Sequence, residues 1–259
     1  MLVDTHAHIF LEQFESDFDQ VLERANGAGV SQILLPAIDV ASVHRSLELA
    51  DRHPALFAMA GLHPSEVKKA TDEDFEAIAK LASDERIIAI GETGLDYYWD
   101  QSFNEKQHDF LRRHIRLASE LNKPLVFHDR EATWDLIRIV REEKEASSKP
   151  EQIRGVFHCF GGPADVTEAV MDLDFYMGIG GTYTFKNGGV PDATATVPID
   201  RIILETDSPF LTPAPHRGKR NEPSYVRLVA EKLAEIRGLS LEEVANATTE
   251  NAKKLFDLP

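Results

Sequence analysis

Eight short apolar runs, separated by segments of helical periodicity, constrain the fold of this chain more than any other feature. The runs are rich in Ile, Val, Leu and Phe, and most end in Gly, Pro, Asp or another polar residue, as buried parallel strands do. They occupy residues 1–9, 31–37, 55–62, 86–92, 124–129, 153–160, 175–181 and 201–207. Because strands that alternate with helices form parallel βα units, this pattern predicts an α/β fold of the TIM (β/α)8 barrel type.

The length of the chain agrees with that fold, since (β/α)8 barrels take about 250 residues and the sequence has 259. A doubly wound open sheet is the alternative, but it requires a glycine-rich phosphate loop after the first strand, and DTHAHIF (4–10) has no glycine. No linker, repeat or low-complexity tract interrupts the pattern. We therefore predict a single domain over residues 1–259, with C-terminal helices closing the barrel and a long loop at 182–200.

Composition narrows the chemistry that this chain can perform. Its single cysteine, Cys159, excludes an internal disulfide and a cysteine-based structural zinc site. The net charge of −16 disfavours non-specific wrapping of nucleic acid, although it allows a local phosphate site. Since no apolar stretch approaches the roughly 20 residues that span a bilayer and the N-terminus lacks a secretory pattern, we expect a cytoplasmic protein without a membrane partner. We also expect a monomer.

Histidine and acidic side chains stand at the carboxyl ends of five of the predicted strands, namely the first, fourth, fifth, sixth and eighth. In (β/α)8 barrels these ends form one rim, and active sites are built there. The side chains concerned are His6, His8, Glu92, His128, His158 and Asp207. The fold therefore predicts that residues far apart in the chain converge on one site.

This set of side chains matches the ligands that a pair of divalent cations requires. Imidazole and carboxylate groups bind zinc, manganese or, through oxygen, magnesium, and a shared carboxylate can hold two ions about 3.5–4 Å apart. Glu92 is the expected bridge, because its strand lies between the others. One ion would take His6, His8, Glu92 and Asp207, and the second would take Glu92, His128 and His158.

Each of these residues also has an ordinary structural interpretation. Isolated histidines at strand ends are often hydrogen-bonded in the core. Glu92 could be an acidic residue at a helix N-terminus, and Asp207 could form a turn before Pro209. Their joint placement on one rim favours the metal site over these separate interpretations.

Candidate substrate contacts lie on the same rim. His63 follows the third strand, with a turn residue before Pro64 as its alternative role. Arg130 follows His128, and a basic run that includes Arg220 follows the eighth strand. A guanidinium group matches phosphate oxygens, so we expect both arginines to contact an anionic substrate. Aromatic residues at 97–99 could stack a base or pack under a loop.

Several motifs resemble one known family, the TatD-type metal-dependent deoxyribonucleases of the amidohydrolase superfamily. They occur in family order over essentially the whole chain: LVDTHAHIF (2–10), IIAIGETGLDYY (87–98), FHDR (127–130), HCFGG (158–162), ILETDSPFLTP (203–213) and RGKRNEP (217–223). The resemblance implies a barrel of the metal-dependent hydrolase type and two divalent metal ions on the six residues above. It also implies cleavage of DNA phosphodiester bonds, often from a 3′ end, so that DNA with single-stranded or 3′ ends is the expected substrate.

The chain departs from the family pattern at three places. Phe10 stands where Asp or Asn is usual, and Gly161 and Gly162 follow HCF where Ser is common. The segment GGTYTFKNGG (180–189) is of its own type. These differences concern hydrogen bonds around the site and the choice of substrate more than the metal ligands.

The working hypothesis is hydrolysis by a hydroxide activated on the cations, with Asp207 as the catalytic proton acceptor. An alternative is a hydrolase of the same superfamily that acts on an ester or amide, such as aminoacyl-tRNA or a small molecule. A second alternative is a non-enzymatic metal-binding protein, which would have a closed coordination sphere.

Overall fold

A computed structural model describes residues 1–186 and 190–259 of the chain, and its centre is a sheet of eight parallel strands paired in chain order. This is the predicted (β/α)8 arrangement, which is thereby confirmed. The strands are β1 Leu2–Asp4, β2 Val30–Leu35, β3 Leu56–Ala60, β4 Ile87–Asp96, β5 Leu125–Arg130, β6 Gly155–Phe157, β7 Tyr176–Ile179 and β8 Ile202–Leu204.

Helices connect successive strands and cover the outside of the sheet. Several begin at side-chain caps, for example α2 at Asp39 and α4 at Thr71, each of which accepts a hydrogen bond from a backbone N–H in the first turn. The helices are α1 Phe18–Gly27, α2 Val40–Arg52, α3 Pro64–Val67, α4 Asp72–Ala82, α5 Asn104–Leu121, α6 Thr133–Ala146, α7 Ala164–Asp172, α8 Val190–Ala193, α9 Val226–Arg237 and α10 Leu241–Phe256. None of these described helices is long and apolar enough to cross a bilayer.

The sheet nearly closes between its first and last strands. The Thr5 N–H donates to the carbonyl of Leu204 at 3.0 Å, and the His8 N–H donates to the carbonyl of Ser208 at 2.8 Å. Ala7 and Ser208 form an isolated parallel bridge between them. This closure holds the segments that follow β1 and β8 side by side at the carboxyl end of the barrel.

Apolar side chains fill the barrel, and each strand contributes one of them to a single cluster: Val3, Leu34, Met59, Ala89, Val126, Val156, Tyr176 and Ile203. The C-terminal helix α10 adds Leu255 and Phe256 to this cluster. Asn251 of α10 donates to the carbonyls of Ile199 and Ile202 at the start of β8. Helix α10 therefore covers the amino end of the barrel and leaves the carboxyl end open. The assignment of the whole chain to one domain stays a prediction.

The structure corrects several predicted boundaries. Strand β1 ends at Asp4, so His6 and His8 follow the strand instead of lying in it. Strand β4 continues to Asp96, so Glu92 lies within the strand and not at its end, because pairing with β5 extends as far as Asp96 opposite Arg130.

The predicted loop at 182–200 is wrong as an unbroken loop. It contains short helical turns at Gly181–Thr184, Val190–Ala193 and Ile199–Arg201. Residues 187–189 of that segment lie outside the described part of the chain.

Candidate metal centre at the carboxyl end of the barrel

The segments after β1 and β8 bring three of the predicted side chains together. The Asp207 N–H donates to the carbonyl of His6 at 2.8 Å, and Asp207 adopts a positive φ of 58°. The Nε2 atoms of His6 and His8 lie 3.2 Å apart. Oδ1 of Asp207 is 3.4 Å from Nε2 of His8 and 3.7 Å from Nε2 of His6. This trio forms one half of the site.

Asp4 lies beside this half of the site and stabilises it, but it is not one of the candidate metal ligands. Its buried carboxylate accepts hydrogen bonds from the backbone N–H of Thr206 at 2.9 Å and from the hydroxyl of Thr206 at 2.6 Å. The His6 N–H also donates to it at 3.3 Å. Burial raises the pKa of Asp4 to about 8. Asp4 therefore fixes the backbone on which His6 and Asp207 stand.

Glu92 lies between two groups of imidazoles, and each of its oxygens faces one group. Oε2 is 3.2 Å from Nε2 of His6 and 3.6 Å from Nε2 of His8. Oε1 is 2.9 Å from Nδ1 of His128 and 3.4 Å from Nε2 of His158. A carboxylate placed in this way can contact two cations at once.

His63 borders the second group of imidazoles more closely than the sequence suggested. Its Nε2 lies 3.2 Å from Nδ1 of His128 and 3.6 Å from Oε1 of Glu92. Its Nδ1 accepts a hydrogen bond from the Ser65 N–H at the start of α3, which corresponds to the alternative, structural role of His63 in a turn. His63 therefore combines a structural contact with a position from which it could reach a cation or a substrate.

The donor atoms form three overlapping triads, within each of which all three atoms lie within 4.8 Å of one another. The triads are His6–Glu92–His158, His6–His8–Asp207 and His63–Glu92–His128. All six residues proposed as ligands from the sequence, and His63 with them, belong to at least one triad.

The buried polar atoms of the cluster fit a cation. The Nε2 atoms of His6 and His8 face the same carboxylates, whereas their Nδ1 atoms are buried and have no hydrogen-bond partner in residues 1–186 and 190–259. A proton between two of the facing groups satisfies only that pair, whereas a cation with several coordination positions can bind the Nε2 atoms and the carboxylate oxygens together. Imidazole and carboxylate donors, without a thiol, suit zinc, manganese or magnesium.

Two further carboxylates orient the histidines of the second group, and the sequence interpretation missed both. Oδ2 of Asp96 lies 3.0 Å from Nε2 of His128, and Oε1 of Glu205 lies 3.1 Å from Nδ1 of His158. In each case the other ring nitrogen faces Glu92. Carboxylates in such positions fix the tautomer and the orientation of a ligating histidine. Strand alternation could have indicated Asp96, because it lies four residues after Glu92 and residues an even number apart in a strand share one face.

The charges of the cluster compensate one another. Burial acts to raise the pKa of Glu92, but His6 and His158 outweigh it and hold that pKa well below its usual range. Burial acts to lower the pKa of His158, yet Glu205 and Glu92 raise it to about 10. The pKa of His128 likewise rises to about 9 against the effect of burial, because Asp96 and Glu92 accept its hydrogen bonds. Protons on the rings of His128 and His158 compensate the negative charge of Glu92, and a bound cation would displace these protons.

Replacing Glu205 by Gln is expected to weaken metal binding or activity by about 10- to 100-fold, because the neutral amide no longer holds Nδ1 of His158 protonated and its Nε2 free. Metal affinity and the rate of hydrolysis measure the effect. Glu205 is 1% exposed, so Glu231→Gln, on an exposed position of α9, serves as a control for the lost charge. Unchanged metal affinity in Glu205→Gln would show that Glu205 is only a packing residue.

The basic residues of the rim differ in their availability. Arg220 is engaged by Asp17, whose carboxylate lies 2.7 Å from the guanidinium. Arg217 lies over the ring of Phe185 at 3.6 Å. Arg130, at the end of β5, lies over the ring of Tyr98 at 3.8 Å, and neither Arg130 nor Arg217 has an ion-pair partner in the described ranges. The roles of Arg130 and Arg220 in substrate binding stay predictions.

Comparisons with known proteins agree with this geometry. A family model described as TatD related DNase matches residues 3–257. The metal-dependent hydrolase YabD of Bacillus subtilis is 44% identical, with 99% of both chains covered. The metal-dependent hydrolase YcfH of Escherichia coli K12 is 38% identical over 99% of this chain and 96% of its own. The crystal structure of YjjV, a TatD homologue from E. coli, superposes with a TM-score of 0.93 at 30% identity, covering 100% of this chain and 98% of YjjV.

Proposed function

The chain belongs to the TatD family of metal-dependent hydrolases, and we propose that it hydrolyses phosphodiester bonds of DNA. The proposal rests above all on Glu92, whose two oxygens face separate groups of imidazoles at 2.9–3.6 Å. The description of the matching family model as TatD related DNase supports the choice of DNA. The guanidinium of Arg130, which has no ion-pair partner among residues 1–186 and 190–259, supports an anionic substrate.

We assign the cations to the two halves of the cluster. His6, His8 and Asp207 would hold one ion and His128 and His158 the other, with Glu92 shared between them. Zinc, magnesium and manganese all suit these donors. When bound, two divalent cations lower the pKa of water, polarise a phosphoryl oxygen and stabilise the leaving oxygen.

Asp207 is placed to handle the proton in this reaction. Its side chain is 14% exposed, compared with 3% for Glu92, so it lies where a water molecule can enter. Oδ1 faces His6 and His8, and Oδ2 has no hydrogen-bond partner in the described part of the chain. Asp207 would accept the proton of the attacking water and return it to the leaving alkoxide when the P–O bond breaks.

The depth of the site favours the end of a DNA strand as the substrate. The side chains of Glu92 and of its six neighbours in the site are only 0–17% exposed. The scissile phosphate must therefore enter a recess. A flexible single-stranded end enters such a recess more easily than the middle of a duplex does. We therefore propose action from the ends of DNA strands, and from 3′ ends in particular because the resemblance to the TatD-type deoxyribonucleases implies it, with Arg130 holding a phosphate.

An assay of cleavage from the 3′ end of single-stranded DNA tests this proposal. The protein, loaded with magnesium, manganese or zinc, would be incubated with single-stranded DNA labelled at its 5′ end. We expect a ladder of progressively shorter labelled products, which phosphorothioate linkages at the 3′ end block and a chelator abolishes. Intact DNA beside rapid hydrolysis of an aminoacyl ester would instead support the ester hydrolase.

A further inference from the structure

Exposed aromatic side chains are concentrated on the rim that carries the metal centre. Six large apolar residues of the described ranges are exposed, and the two that are not aromatic are Met1 and Ile236. The four aromatic ones all follow the carboxyl ends of β4, β5 and β8, and they are Tyr98, Trp99, Trp134 and Phe210. Exposed apolar surface can mark a binding site, and of these four residues only Tyr98 and Trp99 have a guanidinium stacked on them among the described residues.

Arg130 forms a compact unit with two of these residues, whose rings stand almost perpendicular to each other, at 87°. Its guanidinium carbon lies 3.8 Å from the ring centre of Tyr98 and 5.3 Å from that of Trp99. The chain has 44 acidic and 28 basic residues, yet within the part that the structure describes no carboxylate lies within ion-pair distance of Arg130. Trp99 is 72% exposed, so its indole ring, next to the guanidinium of Arg130, faces solvent.

Hydrogen bonds hold this unit in a fixed position relative to the metal centre. Asp96 accepts from the backbone N–H of Tyr98 at 3.0 Å through one oxygen, and its other oxygen lies 3.0 Å from Nε2 of His128. The phenol of Tyr97 donates to Asp135 of α6 at 2.8 Å. Asp96 and Arg130 are also direct partners in the ladder between β4 and β5. The aromatic surface is therefore built onto the same strands as the site.

We infer that Trp99 stacks an unpaired nucleobase next to the reacting phosphate, while Arg130, held against Tyr98, contacts the neighbouring phosphate. This inference rests on the proposed function and makes it more specific. A base offers a flat π-face to an indole, and the adjacent phosphate offers the anion that a guanidinium binds. Bases in a duplex are covered by their neighbours on both faces. Trp99 and Arg130, which we call the platform, therefore select nucleotides that are not stacked in a helix.

Activity on substrates with and without a base tests the inference. Trp99→Ala is expected to lower kcat/KM on single-stranded DNA by about 5- to 150-fold, the range for loss of base–aromatic stacking. Hydrolysis of a wholly abasic oligonucleotide should change less than about twofold, because this substrate keeps the sugar–phosphate chain but offers no aromatic ring on which Trp99 could stack. Removing the base from one nucleotide near the 3′ end should slow the wild-type protein and leave the rate of Trp99→Ala unaffected.

Trp134→Ala is the matched control, because Trp134 is 54% exposed on the same rim and has no guanidinium stacked on it among the described residues. We expect it to cleave single-stranded DNA at close to the wild-type rate. An equal loss in Trp99→Ala and Trp134→Ala, or a loss in Trp99→Ala that extends to the wholly abasic oligonucleotide, would overturn the assignment of Trp99.

Fluorescence separates a failure of the platform from a failure of the proposed function. The chain has two tryptophans, so Trp134→Phe leaves Trp99 as the single reporter. Phosphorothioate single-stranded DNA, which resists cleavage, should quench Trp99 in the metal-loaded protein, and an abasic strand should not. Quenching without DNA cleavage by the wild-type protein would support the platform and reject the nuclease activity, whereas cleavage without quenching would reject the platform alone.

Discussion

Glu92→Gln is expected to lower phosphodiester hydrolysis by on the order of a thousand-fold. The substitution keeps the shape of the side chain but removes the charge that faces both groups of imidazoles. Polarisation by bound cations contributes several kcal/mol to such reactions, and each 1.36 kcal/mol corresponds to a tenfold change in rate. Steady-state kinetics with labelled single-stranded DNA measures the loss, and metal analysis of the dialysed protein should show fewer bound ions.

Glu12→Gln provides the control for this variant. Glu12 is an exposed acidic residue that follows β1 on the same rim, and its neutralisation changes the net charge of the protein equally. We expect its activity to equal that of the wild type. A Glu92→Gln protein that retained full metal content and full activity would refute the shared role of Glu92.

Asp207→Asn is expected to reduce turnover by about 100-fold or more while the protein stays folded. General base catalysis contributes about 10²- to 10⁴-fold, and an amide cannot accept the proton of the attacking water. The backbone contact from Asp207 to the carbonyl of His6 is independent of the side chain, so the fold should persist. Circular dichroism and kcat measured on the same sample check both expectations.

Asp200→Asn serves as the matched control, since Asp200 is exposed near the start of β8. Its turnover should equal that of the wild-type protein. Wild-type rates in Asp207→Asn would exclude Asp207 as the proton acceptor, even if the cations were still bound.

The barrel could be predicted from the sequence because buried parallel strands have a characteristic amino-acid pattern. Each strand is a short apolar run, and helical periodicity separates successive runs. The limits of individual strands could not be predicted in the same way. Strand β4 continues to Asp96 because its ladder with β5 continues, and pairing between strands is not visible in the composition of either strand.

The six candidate ligands could be located for a related reason, since the fold alone places the carboxyl ends of all strands on one rim. What the sequence could not supply was the direction of each side chain. The approach of His63 to Glu92 depends on the turn that starts α3. The pairing of Arg220 with Asp17 joins residues 203 positions apart, and only the folded chain reveals it.

The central claim is that Glu92 is shared by two cations. A crystal structure of the metal-loaded protein, with anomalous data collected at the absorption edge of zinc or manganese, tests it most directly. We predict two anomalous peaks, one beside His6, His8 and Asp207 and the other beside His128 and His158, with one oxygen of Glu92 on each. A single peak, or two peaks that Glu92 does not contact, would contradict the claim.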